Sequence, residues 1–185
     1  MNATSKPILL LGSYGRGNIG DDAFLVAAMR HLPEDAKVYL NSSDDELLPK
    51  VAQGRVQTLA TTRSTDLRNK VRAFRKVKHV VYCGGDLWVE LHNSARPRSS
   101  LYKMLGMNLL ARISGKKVYY LGCGVGDLQG YSLALARMSA NLANVVIVRE
   151  PRSAKLLGGR RSIVLPDLIS SLGWPVRPDG RTPGE

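Results

Sequence analysis

Short apolar runs alternate with helical patterns along most of this chain, and that alternation leaves few folds open. Runs rich in β-branched or aromatic residues fall at 8–11, 37–40, 56–59, 79–82, 117–121, 145–148 and 162–165. Between them come helical spacings. Phe24, Leu25, Ala28, Met29 and Leu32 share one face of a first helix that Pro33 ends, and later patterns cover 44–52, 64–77, 99–114, 128–143 and 152–157. Strand and helix alternate about six times, as in a parallel sheet covered on both faces. An α/β fold of Rossmann-like type is therefore expected, a parallel sheet with helices on both faces. Right-handed crossovers then set every strand-to-helix turn on one sheet edge, where such folds bind ligands.

With 185 residues, the chain suits one substantial core. The expected organisation is a Rossmann-like domain over 1–172 and a tail or linker over 173–185, where prolines and glycines replace apolar residues; a second domain is absent. No apolar run approaches the ~18 residues of a membrane span, and residues 1–11 lack a secretory core, so a cytoplasmic protein is expected. Cys83 and Cys123 show no metal-binding or redox spacing and read as reduced thiols; no metal and no cofactor are expected.

Charge is the compositional outlier. The formal net charge of +12 points to an anionic partner: nucleic acid, a phospholipid surface or a phosphorylated substrate. Half of it lies in 63–78, with seven basic residues against Asp66. Leu67, Val71, Phe74 and Val77 make an apolar face there, beside Arg68, Arg72 and Arg75. Such a helix is either a solvated face over an ordinary core contact or a surface for anionic membrane or acceptor phosphate.

Four strand ends carry residues that turns alone explain poorly. The first is Gly12-Ser13-Tyr14-Gly15-Arg16-Gly17-Asn18-Ile19-Gly20-Asp21-Asp22, whose Gly15, Gly17 and Gly20 have the spacing of a dinucleotide-binding turn. Asp21 and Asp22 suit a helix N-terminus but repel a pyrophosphate there. The second is Gly84-Gly85-Asp86-Leu87-Trp88, in which Asp86 is a cap or an acid/base and Trp88 is a packing residue before it is a sugar platform. The third, Gly122-Cys123-Gly124-Val125-Gly126, reads as a second glycine-rich turn before a helix. In the fourth, Val148-Arg149-Glu150-Pro151-Arg152-Ser153, Arg149 closes a strand and Pro151 opens a helix. His31 suits a helix C-terminus, and His92 reads as unremarkable.

In order and spacing these segments, with Leu165-Pro166-Asp167, resemble the polysaccharide pyruvyl transferase family over residues 8–172. The resemblance implies a transferase of cell-surface glycan synthesis that moves a pyruvyl group from phosphoenolpyruvate to two hydroxyls of a sugar as a ketal. It implies one half of a two-domain fold similar to GT-B glycosyltransferases, the other half supplying further basic residues and a His. Phosphoenolpyruvate serves as donor substrate, and the acceptor is a sugar or lipid-linked oligosaccharide. Asp86 becomes the catalytic acid/base and Arg149 the clamp on a carboxylate or phosphate. Gly15, Asn18, Gly20, Asp21, Gly85, Gly124 and Gly126 become the substrate-binding set. The implied partners are a missing C-terminal domain or partner chain and, through the basic surface, peripheral contact with the membrane.

Three other readings stay open at this stage. One is half of a GT-B glycosyltransferase. A second is an NAD-type dinucleotide-binding module, although Asn41-Ser42-Ser43 stand where its ribose-binding acid belongs. The third is a basic nucleic-acid-binding protein, for which the cations of 63–78 lack interleaved aromatic residues.

Overall fold

The computed structural model describes residues 7–41, 46–60, 71, 74–90, 96–158 and 162–172. Eight strands form one parallel sheet: β1 (Ile8–Leu11), β2 (Val38–Asn41), β3 (Val56–Ala60), β4 (His79–Cys83), β5 (Asp86–Trp88), β6 (Lys117–Val125), β7 (Val145–Val148) and β8 (Ser162–Val164). The helices are α1 (Ile19–His31), α2 (Ser99–Ile113), α3 (Gly130–Asn141) and α4 (Pro151–Leu156), with a 3-10 turn at Leu168–Leu172. Residues 71 and 74–76 are also helical; the rest of the 64–77 pattern, Arg68 and Arg72 included, lies outside the described residues, as do His92 and 173–185.

The sheet order is β3-β2-β1-β4-β6-β7-β8, with β5 pairing only with β6. This is the doubly wound Rossmann-like order, which reverses between β1 and β4. Leu10 of β1 pairs with Leu40 on one side and Val81 on the other. Alternate residues of β4 enter two cores: Val80 and Tyr82 pack with α2 and α3, while Val81 and Cys83 pack with α1. Burial on both faces is why β1 and β7 are continuously apolar.

Three expectations need correction. The 44–52 pattern is not a helix where it is described: residues 46–52 form turns, because Pro49 inside the pattern removes a helical N–H donor and clashes with the preceding turn, and only Leu48 and Ala52 of them are buried. Residues 122–125 are not a turn, because β6 runs through Gly122, Cys123 and Gly124 to Val125. β5 was not anticipated: it is three residues long and pairs Asp86 with Gly124. Both errors at the sheet edge have one cause. The glycines of β6 admit neighbouring side chains across the strand, a reason that no local pattern reveals.

The buried side of α2 is tied to α3 and β6 by polar contacts. Asn108 Nδ2 donates to the Tyr120 hydroxyl at 2.6 Å and to the Ser139 carbonyl at 2.9 Å, while Tyr120 and Ser139 hydroxyls meet at 3.0 Å. Trp88 is fully buried and its ring lies 4.4 Å from that of Tyr120, which gives it the packing role.

Candidate active site

The turn after β1 is held from beneath by Tyr14. Its ring is buried under the loop, and its hydroxyl donates to the Cys83 carbonyl at 2.8 Å, joining the ends of the two strands at the sheet reversal. The chain then enters α1 through a side-chain cap. Asn18 Oδ1 accepts from the Gly20 N–H at 3.1 Å, its Nδ2 donates to Asp21 Oδ2 at 2.8 Å, and Asp22 Oδ1 accepts from the Gly15 N–H at 3.2 Å. Two N–H groups that a phosphate would use in a dinucleotide turn thus already have protein acceptors. Burial and the neighbouring Asp22 push the Asp21 carboxyl up from its ordinary range, partly offset by Asn18 and Arg16.

Across the reversal, Gly84 turns the chain out of β4 at φ +94°, with the Phe24 ring against its α-carbon. A side chain there meets both obstacles, strain and ring, so glycine is required. Gly85 follows beside the Asp21 carboxylate. Asp86 then reaches over Gly124 of β6 to Arg149, whose Nη2 donates to Asp86 Oδ1 at 2.6 Å. The same glycine lies against the Arg149 guanidinium, so its missing side chain is the space through which acid and cation meet. Arg149 therefore pairs with Asp86 and not with its neighbour Glu150, which accepts from Ser153 at 2.7 Å.

Of the expected site residues, the structure brings Asp86, Arg149 and Gly124 into one group, and Asn18, Gly20, Asp21 and Gly85 into another beside it. Gly15 belongs to the second group through Asp22, whereas Gly126 lies under Val89. A cleft of about 380 Å³ opens where the sheet order reverses. Ser13 and Arg16 of the first turn, Asp86 of β5, and Ser100, Lys103 and Met104 of α2 line it. Sequence reasoning missed Lys103, because a cation on an amphipathic helix carries no local sign of facing a cleft. Glu90 was missed as well; it accepts from Ser132 and from Arg98 at 3.1 Å.

Cys83 and Cys123 are both free and buried. Burial pushes the Cys83 thiol up to about 12 and raises Cys123 as well, so both stay protonated and unreactive at neutral pH. Among the described residues no three His, Cys, Asp or Glu side chains cluster as metal ligands, and no helix is long and apolar enough to cross a membrane.

A family model described as polysaccharide pyruvyl transferase matches residues 18–172. The chain belongs to that family. The match covers the polysaccharide pyruvyl transferase segments at 84–88, 122–126 and 148–153 and the last five residues of the first turn, 18–22; of these segments, 84–88 lines the cleft through Asp86 and Leu87. No curated protein matches the chain. Among solved structures it is similar to the UDP-GlcNAc 2-epimerase from Neisseria meningitidis bound to UDP-GlcNAc, at 14% identity and a TM-score of 0.49, covering 88% of this chain and 47% of that one. It is also similar to a short-chain dehydrogenase/reductase from Veillonella parvula in complex with NADP, at 11% identity and a TM-score of 0.43, covering 79% and 72%. The chain thus spans about half the length of that epimerase.

Proposed function

We propose that this chain carries the donor-handling wall of a pyruvyl transferase that joins phosphoenolpyruvate to a glycan as a cyclic ketal. The reading rests on family membership together with the Asp86–Arg149 pair, of which Asp86 lines the cleft. Phosphoenolpyruvate brings a carboxylate and a phosphate, and a planar guanidinium is the group that holds either through two parallel hydrogen bonds. Arg149 exchanges its bond to Asp86 for one to the donor, which leaves the Asp86 carboxyl to handle the proton.

Released from Arg149, the Asp86 carboxylate takes up a proton from solvent and gives it to the methylene carbon of the enol, and the central carbon, now cationic, forms a bond to the first sugar hydroxyl. That hydroxyl returns its proton to Asp86. The second hydroxyl bonds to the same carbon as its bond to phosphate breaks, and its proton leaves with inorganic phosphate. Arg149 stabilises the departing charge, with Arg16 and Lys103 adding positive potential to the cleft. In this reading Asp21, flanked by Asn18, accepts hydroxyls of a sugar or lipid-linked acceptor. No cofactor is required in this scheme.

The test is ketal formation from phosphoenolpyruvate with glycan acceptors, followed together with phosphate release. Equimolar ketal and phosphate support the proposal. Phosphate without ketal, or sugar transfer from a nucleotide donor in its place, overturns it.

A further inference from the structure

The outward face of α2 is apolar, and among the described residues nothing buries it. Leu101, Met104, Asn108 and Ala111 form its buried side. On the opposite side Tyr102, Leu109 and Leu110 are each 49% exposed and Ile113 is 76% exposed. Tyr102, Gly106, Leu109 and Ile113 follow one another at helical spacing, so these residues form a continuous stripe. Tyr131 and Met138 of α3 extend it, at 56% and 55% exposed, and the rings of Tyr102 and Tyr131 lie 6.4 Å apart. Scattered exposed apolar residues need no explanation, but a contiguous patch on two neighbouring helices does.

Charge indicates the occupant. Neither α2 nor α3 contains an acidic residue. Lys103 and Arg112 flank the stripe on its two sides, and residues 96–141 hold seven Lys and Arg against the single acid Asp127, which is paired with Arg152; of the seven, Arg98 is paired with Glu90. Lys116 is the one cation of the seven that is turned inward, donating to the Val77 carbonyl. A helix with an apolar face, cationic flanks and tyrosines at its edge has the composition of an element lying in a lipid headgroup layer. A second copy of the same face sets cation against cation instead.

We infer that the α2 stripe, from Tyr102 to Ile113 with Tyr131 beside it, docks on the surface of an anionic phospholipid bilayer. Ser100, Lys103 and Met104 on the adjoining flank of α2 line the cleft, so docking holds the cleft at the headgroups, within reach of a lipid-linked substrate. The inference concerns binding alone. It stands or falls without regard to pyruvyl transfer.

Co-sedimentation with phosphatidylcholine vesicles, with and without phosphatidylglycerol, tests it. The wild type is expected to bind only the vesicles containing phosphatidylglycerol. The double variant Leu109→Ser/Ile113→Ser should lose about tenfold in affinity, since two partly exposed aliphatic groups no longer enter the lipid. Arg112→Gln should lose about fivefold, the share of one cation near an anionic surface. A second readout does not depend on those variants folding: the native thiols are buried, so a polarity-sensitive dye can be placed on Ile113→Cys or, as control, on Ile163→Cys of β8. The dye should respond to vesicles at 113 and not at 163. Absence of wild-type binding, equal binding by the double variant or an equal response at 163 overturns the inference. So does self-association that the double variant abolishes, which assigns the stripe to a second copy of the chain.

Discussion

Two glycines at the sheet edge should fail in different ways when each gains one methyl group. In Gly84→Ala the new β-carbon lies 2.4 Å from Cγ of Phe24, in a backbone held at φ +94°. Phe24 is 4% exposed in the α1 core, so its ring has nowhere to withdraw. The positive φ costs about 1–3 kcal/mol and the overpacked ring about as much again, for a loss of roughly 2–6 kcal/mol. At ~2–4 °C per kcal/mol for a domain of this size, the melting temperature should fall by about 5–20 °C. In Gly124→Ala the obstacle is the Asp86 carboxylate, the end of a side chain that is 46% exposed and free to swing into solvent. Swinging out forfeits a solvent-screened ion pair worth about 0–1 kcal/mol, so the melting temperature should move by no more than about 4 °C. Ketal formation, however, should fall as far as in Asp86→Asn, and the double variant should be no worse than either single one, because all three remove the same pair. Thermal unfolding by circular dichroism and the ketal assay read both effects. Full activity in Gly124→Ala, or a stability loss matching that of Gly84→Ala, refutes the role given to the bare strand beneath the ion pair.

Asn108→Ala removes the donor shared by Tyr120 and Ser139 and should cost about 1–3 kcal/mol in urea unfolding; an unchanged midpoint contradicts the buried network. Tyr14→Phe leaves the buried Cys83 carbonyl without its 2.8 Å donor and should lower stability by about 1–2 kcal/mol while retaining the fold. Because the fold raises the Cys83 thiol to about 12 from an ordinary 9.0, the unfolded chain releases that proton first as pH rises. Unfolding free energy should therefore be undiminished by this group below pH ~9 and decline from there toward pH ~12, with Cys123 acting in the same direction. A disulfide-exchange reagent at pH 8 should correspondingly label neither cysteine until denaturant is added.

The sheet was legible because its strands are buried on both faces: β1 and β7 have the limits that the apolar runs give, and α2 departs from its pattern by one residue. The first turn was legible in its charges, since Asp21 and Asp22 disfavour pyrophosphate and in the fold join Asn18 in closing the turn on itself. Less legible was anything that depends on two distant segments. Gly122 and Gly124 look like turn residues in sequence and are strand residues in space, because Asp86 crosses above Gly124 from 38 positions away. The pairing of Asp86 with Arg149 has the same character. Two strand ends each offered a charged residue, and only the sheet order brings them together. Lys103 and the outer stripe of α2 follow a single helical periodicity that leaves open which side meets the core, a choice made by Asn108 and its buried partners.

The central claim is that Arg149 grips an enol phosphate donor while Asp86 moves its proton. Nuclear magnetic resonance with isotopically labelled phosphoenolpyruvate and a glycan acceptor tests it most directly, comparing wild type, Arg149→Leu and Asp86→Asn. The account predicts a labelled ketal carbon and equimolar phosphate from the wild type, and neither above background from the two variants. Absence of ketal from the wild type, or undiminished ketal from Asp86→Asn, contradicts it.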